Sequence, residues 1–175
     1  MKRFVWLVPA LFLFCLTAKA QDTPAWEVAG SYSYLDANIN SSSFGLQGGG
    51  GSLTENLNNW FGGRAEVNAY HGVESGTTVS AVSATYGPVF SYRKSDTFTP
   101  WASVQLGIVH GSTGYVGVSQ SDFQFGLVTG GGLDFKIAPK VAIRVNGDYM
   151  MSHFLGLRQD NITFGVGIVF RLGHK

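Results

Sequence analysis

Alternation of apolar side chains with small or polar ones is the feature that most constrains the fold of this chain. In segment 162–170, apolar residues stand at every even position, and threonine, glycine and valine stand between them. Because successive residues of a β-strand point to opposite faces, this segment is predicted to form a strand with one continuous apolar face. The opposite face carries almost no charge, so it suits the narrow interior of a barrel better than the surface of a soluble sandwich.

The same alternation recurs in segments 26–34, 61–67, 104–108, 123–137 and 141–151. The weakest predicted strand is 48–57, because Leu53 and Leu57 share their face with Glu55. After residue 20, no apolar run reaches the roughly 17–25 residues that a membrane-spanning helix needs. Strands are therefore predicted to be the elements that meet the lipid.

Two kinds of connection separate the predicted strands. Three short polar breaks lie at 58–59, 95–96 and 138–140. Four longer stretches rich in Gly, Ser and Asn, which we expect to be loops, lie at 37–44, 71–78, 111–122 and 155–160. Seven connections predict eight strands, and short turns at one end with long loops at the other are typical of an outer-membrane barrel.

Aromatic residues fall into two groups that follow these connections. Those near the short breaks or the termini are Trp26, Trp60, Phe61, Phe98, Trp101, Phe135 and Phe170. Those near the long stretches are Tyr34, Phe44, Tyr70, Tyr115, Phe123, Tyr149 and Phe154. Aromatic belts mark both membrane interfaces in barrels, so we predict that the two groups form two girdles.

Residues 1–20 have the features of a cleavable secretory signal. A pair of basic residues precedes a short apolar run, and a small-x-small motif ends at Ala20. We therefore predict a signal peptide over 1–20, cleavage between Ala20 and Gln21, and one barrel domain over 21–175. Cleavage removes three of the 12 basic residues and none of the 11 acidic ones, which changes the formal charge from +1 to −2.

The composition excludes several other classes. A net charge of +1 without a basic run argues against a nucleic-acid partner. The single cysteine, Cys15, lies in the predicted signal, so the mature chain has no disulfide or thiol chemistry. The glycine run at 48–51 lacks the lysine and the helix of a phosphate-binding loop. We predict no cofactor.

Four motifs together resemble a known family. They are Phe90-Ser-Tyr-Arg93 with Phe98-Thr-Pro-Trp101, then Gly130-Gly-Gly-Leu-Asp134, Val141-Ala-Ile-Arg144 and Gly165-Val-Gly-Ile-Val-Phe170-Arg171. The chain resembles the small eight-stranded OmpA-like transmembrane barrels of bacterial outer membranes over residues 22–173. The resemblance implies an all-β, up-and-down antiparallel barrel in the outer membrane of a Gram-negative bacterium, reached through the periplasm.

The same resemblance implies partners and a role. It implies contact with outer-membrane lipids, assembly by the barrel-assembly machinery through the C-terminal strand, and a monomeric state. The expected function is non-enzymatic, either structural support of membrane integrity or interaction with surface ligands through the long loops.

Charged residues on the inward-facing positions are the first candidates for function. By strand parity they are Glu27, Arg64, Glu66, Arg93, Asp134, Lys136, Arg144, Asp148 and Arg171. Charges in a narrow interior must be paired or hydrated. One hypothesis is that they pair and fill the interior, and the other is that rearranged pairs open a narrow gated ion channel.

Three histidines are expected near the rim where strands meet the long loops. They are His71, His110 and His153. Imidazoles at one height could bind Zn²⁺ or Cu²⁺. They come from three different hairpins, however, so we expect separations around the rim that are too large, and we predict no metal site.

The motif His110-Gly-Ser112 suggests a hydrolase as an alternative function. Residues two apart on a strand share a face, and a serine beside a histidine and an acid can act as a nucleophile. The motif resembles that of outer-membrane lipid A deacylases. The acid is not evident, since Asp122 lies in the next predicted loop, and we predict no catalytic residues.

Overall fold

A computed structural model describes residues 23–39, 42–74, 77–115, 118–154 and 157–174, with side chains over 23–36, 45–73, 77–114, 121–152 and 160–174. The predicted signal peptide and its cleavage site between Ala20 and Gln21 lie outside these residues. The eight strands are β1 (Trp26–Ile39), β2 (Ser42–Asn56), β3 (Phe61–Glu74), β4 (Thr77–Ser91), β5 (Phe98–Tyr115), β6 (Val118–Ala138), β7 (Val141–Phe154) and β8 (Leu157–Leu172). Within the described residues, no helix is long and apolar enough to cross a membrane.

The strands close into a single ring. Each strand pairs antiparallel with the next, and β1 pairs with β8 from Trp26↔Leu172 to Asp36↔Ile162. Closure pairs backbone groups that lipid could not hydrogen-bond, which is why a ring without edges is required in a bilayer. The prediction of an eight-stranded antiparallel barrel is confirmed.

The connections agree with the prediction at one end and differ at the other. The short connections 57–60, 92–97 and 139–140 lie together with the start of β1 and the end of β8, and we call this the short-turn end. The predicted long loops are wrong, because the strands continue through most of each of them to what we call the hairpin end. For example, β5 and β6 stay paired through Gly111↔Asp122 and Ser112↔Ser121. Polar side chains do not end a strand whose backbone still has a partner.

The outer face carries the apolar alternation. On β8, Phe164, Val166 and Ile168 are exposed, whereas Thr163 and Val169 on the opposite parity are buried. The same outward exposure holds on other strands for Val104, Leu106, Ile108, Phe123, Phe125, Leu133, Phe135, Ile143 and Val145. An apolar belt around a closed barrel is the surface that hydrocarbon chains cover.

The interior is filled by side chains rather than by an open bore. Toward the hairpin end, five inward-facing residues form what we call the apolar layer: Leu35, Leu46, Tyr70, Val109 and Met150. Toward the short-turn end, Ala29, Ala142 and Val169 pack together beside charged groups. A small barrel has just enough interior for its own side chains, and described side chains occupy this one from the short-turn end to the apolar layer.

Two aromatic residues depart from the predicted girdles. Tyr70 and Trp101 are buried inside the barrel, because they share the inward face with residues such as Arg64 and Ser103. Trp60 and Phe98 are exposed at the short-turn end, and Tyr34 is exposed toward the hairpin end. The side chains of Phe44, Tyr115 and Phe154 lie outside the described part of the chain.

Candidate functional site

Six charged side chains meet inside the barrel near the short-turn end. We call Glu27, Arg64, Arg93, Asp134, Arg144 and Arg171 the interior charge cluster. Five of them stand on the strands β1, β3, β6, β7 and β8, and Arg93 stands just after β4. The inward parity of each strand aims these side chains at one another across the narrow interior.

Asp134 is the acceptor of the strongest contacts in the cluster. Arg144 donates two parallel hydrogen bonds to it, from Nε to Oδ1 at 2.7 Å and from Nη2 to Oδ2 at 2.8 Å. The indole Nε1 of Trp101 donates a third, at 3.1 Å to Oδ1. Asp134 and Arg144 stand opposite each other in the β6–β7 register, so backbone pairing alone brings them together. Two-point Arg–carboxylate contact fixes geometry as well as charge.

Glu27 is the second acid, and three arginines surround it. Arg93 Nη1 lies 2.9 Å from Oε1, Arg171 Nε lies 3.7 Å from Oε1, and Arg144 Nη2 lies 3.8 Å from Oε2. Glu27 and Arg171 are cross-strand neighbours where β1 meets β8, so this contact crosses the seam that closes the barrel. Arg93 also donates to Asn56 Oδ1 at 3.1 Å.

Arg64 has an aromatic ring as its main partner in the cluster. Its side chain is 1% exposed, and its Nε donates to Thr54 Oγ1 at 3.0 Å. Its guanidinium carbon lies 3.9 Å from the ring centre of Trp101, and that of Arg144 lies 4.8 Å from the same centre. A ring face attracts a desolvated cation, so Trp101 is the stacking partner of both guanidinium groups.

Two further acids, Glu66 and Asp148, lie between the interior charge cluster and the apolar layer. Glu66 accepts a hydrogen bond from Asn68 at 2.8 Å, and Asp148 accepts one from Asn146. A cavity of about 10 Å³ lies between Glu66 and the arginines, and one of about 20 Å³ lies between Glu66, Asp148 and the apolar layer. Each cavity has room for about one water molecule.

The structure brings together all the predicted inward charges except Lys136. Its side chain is exposed at the short-turn end, where the register of β6 against β7 shifts between Lys136 and Ala138. Lys136 itself keeps the inward register, opposite the buried Ala142, and it is exposed because it stands at the open end of the barrel, beyond the filled interior. The residues that sequence reasoning missed are Trp101 and the neutral partners Thr54 and Asn56. Trp101 stands an even number of positions from Ser103 and Gln105, and this shared parity was the sequence signal that its ring faces inward.

The structure places His71 and His110 in separate contacts on the barrel wall. His71 Nδ1 lies 2.9 Å from Ser80 Oγ on the outer face, and the ring of His110 packs 4.1 Å from that of Phe123. The side chain of His153 lies outside the described part of the chain. Among the described side chains, no group of three His, Cys, Asp or Glu is arranged to hold a metal ion.

The residues of the hydrolase alternative are split between the two faces of the wall. Strand parity places His110 and Ser112 on the outer face with Ile108. Asp122 stands on the opposite face of β6 from its exposed neighbour Phe123, and it accepts a hydrogen bond from Gln124 at 2.7 Å. Phe123 fills the position beside His110 that an orienting acid would occupy.

The closed ring, the apolar belt and the filled interior define a small transmembrane β-barrel of the outer-membrane type. The model of the family described as "Outer membrane protein beta-barrel domain" matches residues 7–170, and the chain belongs to this family. The protein therefore resides in the outer membrane. A comparison with curated proteins gave no match.

Solved structures of other small barrels share the fold. Neisserial surface protein A is 12% identical with a TM-score of 0.75, and the match covers 85% of this chain and 97% of that one. The attachment invasion locus protein Ail of Yersinia pestis is 19% identical with a TM-score of 0.60, covering 85% and 99%. The N-terminal β-barrel domain of Pseudomonas aeruginosa OprF is 16% identical with a TM-score of 0.53, covering 86% and 100%.

Proposed function

We propose that this protein is a non-enzymatic barrel with an occluded interior, which supports the outer membrane and presents its hairpin end at the cell surface. The observation that carries the proposal is the filling of the interior from the charge cluster to the apolar layer. Within the part of the chain that the structure describes, two cavities of about 10 and 20 Å³ lie in this interior, and each is too small for a hydrated ion. The barrel acts as a monomer and is assembled through β8 by the barrel-assembly machinery.

Conductance across a planar lipid bilayer tests this proposal. The folded barrel is expected to give no stable current steps, whereas a general porin reconstituted in the same way gives large ones. A matched pair of variants locates the barrier: Tyr70→Ala removes a ring from the apolar layer, and Tyr86→Ala removes an exposed ring from the outer face. Stable steps in the unmodified barrel would favour the gated-channel hypothesis instead.

The absence of enzymatic activity is tested separately. We expect no release of fatty acid when the folded barrel is incubated with a lipid A glycolipid, because the acid nearest in sequence to His110 and Ser112 lies on the other side of the wall. Acyl release that disappears in Ser112→Ala would overturn this part of the proposal.

The surface role does not include capture of sulfated polymers. Ail is known in complex with the heparin analogue sucrose octasulfate. In this chain the described hairpin-end side chains include Asp36, Asp122 and Asp160 and no lysine or arginine, and Arg158 is the basic residue that the sequence places there. These carboxylates repel a polyanion, so calorimetric titration with sucrose octasulfate is expected to show no binding.

The structural role is tested with a deletion strain, and a leaky outer membrane in that strain would support it.

A further inference from the structure

Basic residues are distributed unevenly between the two ends of the barrel. Every lysine and arginine with a described side chain lies in the half toward the short-turn end: Arg64, Arg93, Lys94, Lys136, Lys140, Arg144 and Arg171. The four arginines belong to the interior charge cluster, where carboxylates and Trp101 engage them. The three lysines are exposed, and the interior of the barrel makes no use of them.

The three exposed lysines follow one another around the rim, and we call them the lysine arc. Lys94 stands in the connection between β4 and β5, Lys136 near the end of β6, and Lys140 at the turn into β7. Three backbone hydrogen bonds of 2.8 Å hold these segments in place: Lys136 N donates to Thr97 O, Arg171 N donates to Lys140 O, and Tyr92 N, two residues before Lys94, donates to Pro100 O. The arc therefore has a fixed place along the rim, from β4 to β8.

The arc stands level with exposed aromatic and apolar side chains at the short-turn end. Lys136 lies between Phe135 and Ile137, which are both exposed on the outer face, and Phe98 pairs with Phe135 on the neighbouring strand. Lys94 Nζ lies 5.5 Å from the ring centre of Tyr92, which is itself exposed. A lysine with its stem against apolar surface extends its ammonium group into the adjacent interface.

We propose that the lysine arc binds anionic phospholipid headgroups of the periplasmic leaflet. Along this part of the rim, three ammonium groups accompany one carboxylate, that of Asp96, so the arc carries a net positive charge. Its position beside the aromatic and apolar belt places that charge at the phosphates of the bilayer rather than beyond them. The described side chains of the hairpin end include no comparable group of lysines, so the preference for anionic lipid is expected in one leaflet only.

The strength of this preference follows from surface electrostatics. A lysine near an anionic membrane surface contributes an attraction that corresponds to about a fivefold preference for the anionic lipid. Exposed charges are screened by salt, so the preference should fall as the ionic strength rises. Arginine in place of lysine keeps the charge, whereas glutamine removes it at similar length.

Quenching of tryptophan fluorescence by brominated lipids tests the proposal. Trp60 and Trp26 are exposed at the same end, whereas Trp101 is buried and contributes a constant background. The barrel is folded into phosphatidylcholine vesicles that contain brominated phosphatidylglycerol or brominated phosphatidylcholine as the minor lipid. In low salt, we expect brominated phosphatidylglycerol to be enriched around the barrel at least about fivefold relative to brominated phosphatidylcholine.

Two triple variants distinguish charge from shape. K94Q/K136Q/K140Q is expected to lose the enrichment, and K94R/K136R/K140R to keep it, with the gel shift of the unheated protein confirming that both fold. Equal quenching by the two lipids in the unmodified barrel, or enrichment that survives the glutamine variant, would overturn the proposal. Lysine-dependent sedimentation with peptidoglycan, without any lipid preference, would assign the arc to the cell-wall polymer and would also overturn it.

Discussion

Substitution of Asp134 by asparagine should destabilise the barrel more than any other isosteric change in its interior. Asp134 accepts two hydrogen bonds from Arg144 and one from Trp101. The asparagine side chain would keep one acceptor oxygen but no charge. The interior charge cluster holds four arginines and two acids, so the change raises its net charge from +2 to +3.

The expected magnitude follows from the burial of this pair. The side chains of Arg144 and Asp134 are 5% and 2% exposed. Breaking a buried ion pair by removing one partner costs about 3–5 kcal/mol, because the remaining charge has no compensation. Removing Arg144 instead should cost less, because Asp134 would still lie near a cluster with an excess of positive charge. We therefore expect a loss of about 3 kcal/mol for Asp134→Asn and a smaller loss for Arg144→Met.

Urea unfolding in lipid vesicles, followed by tryptophan fluorescence and by the gel shift of unheated samples, measures these differences. The double variant D134N/R144M restores the net charge of the cluster and should be more stable than Asp134→Asn alone. If Asp134→Asn cost less than about 1 kcal/mol, or if the double variant were less stable than either single one, the pair would not be the buried contact described above.

Two further predictions concern the wall of the barrel. Ile168→Arg places a charge on the lipid-facing side near mid-height and should lower the free energy of unfolding in vesicles by about 2–4 kcal/mol. Ser121→Arg, on the same side near the hairpin end, should lower it by at most about 1 kcal/mol. Equal losses would show that Ile168 does not face hydrocarbon. Gly167→Ala would set a methyl group against the carbonyl oxygen of Gly30 across the β1–β8 seam and should lower the free energy of unfolding by about 1–3 kcal/mol. The added methyl group of Gly30→Ala meets nothing within 4 Å, so this variant should be as stable as the unmodified barrel. The same unfolding assay measures both, and a destabilised Gly30→Ala would contradict the seam geometry.

The outer face was predictable from the sequence because lipid imposes a strict rule. An apolar side chain must stand at every second position wherever the strand crosses hydrocarbon, and β8 shows this rule from Ile162 to Phe170. The short connections were also predictable, because Asn58 and Pro139 mark turns by their own chemistry. The number of strands followed from these three short breaks together with the four longer polar stretches, since all seven do separate consecutive strands.

The interior was only partly predictable, because parity states which face a residue occupies and not what it meets there. Leu35 and Met150 have the composition of lipid-facing residues, yet they form the apolar layer inside. Tyr70 and Trp101 were assigned to girdles by their position along the chain, although their parity points inward. Lys136 has the same parity as Asp134, but it is exposed at the open end of the barrel, and parity does not state how far along the barrel a residue stands.

The hairpin end was mispredicted for a different physical reason. Stretches rich in Gly, Ser and Asn are typical of loops, but Gly111, Ser112 and Thr113 remain paired with β6. Outside the hydrocarbon no rule demands apolar side chains, so strands continue there with polar residues. Composition alone does not distinguish such an extended hairpin from a loop.

The central claim is that the chain closes into a lipid-facing barrel with a filled interior, and nuclear Overhauser effects in a lipid nanodisc test it most directly. Ile168 and Val169 are adjacent on β8, but the first is 48% exposed and the second is fully buried beside Ala29 and Ala142. We predict cross-peaks from lipid acyl chains to the methyl groups of Ile168, and cross-peaks from the methyl groups of Val169 to Ala29 and Ala142 instead. Acyl-chain cross-peaks to Val169, or none between Val169 and Ala29 across the β1–β8 seam, would contradict the account.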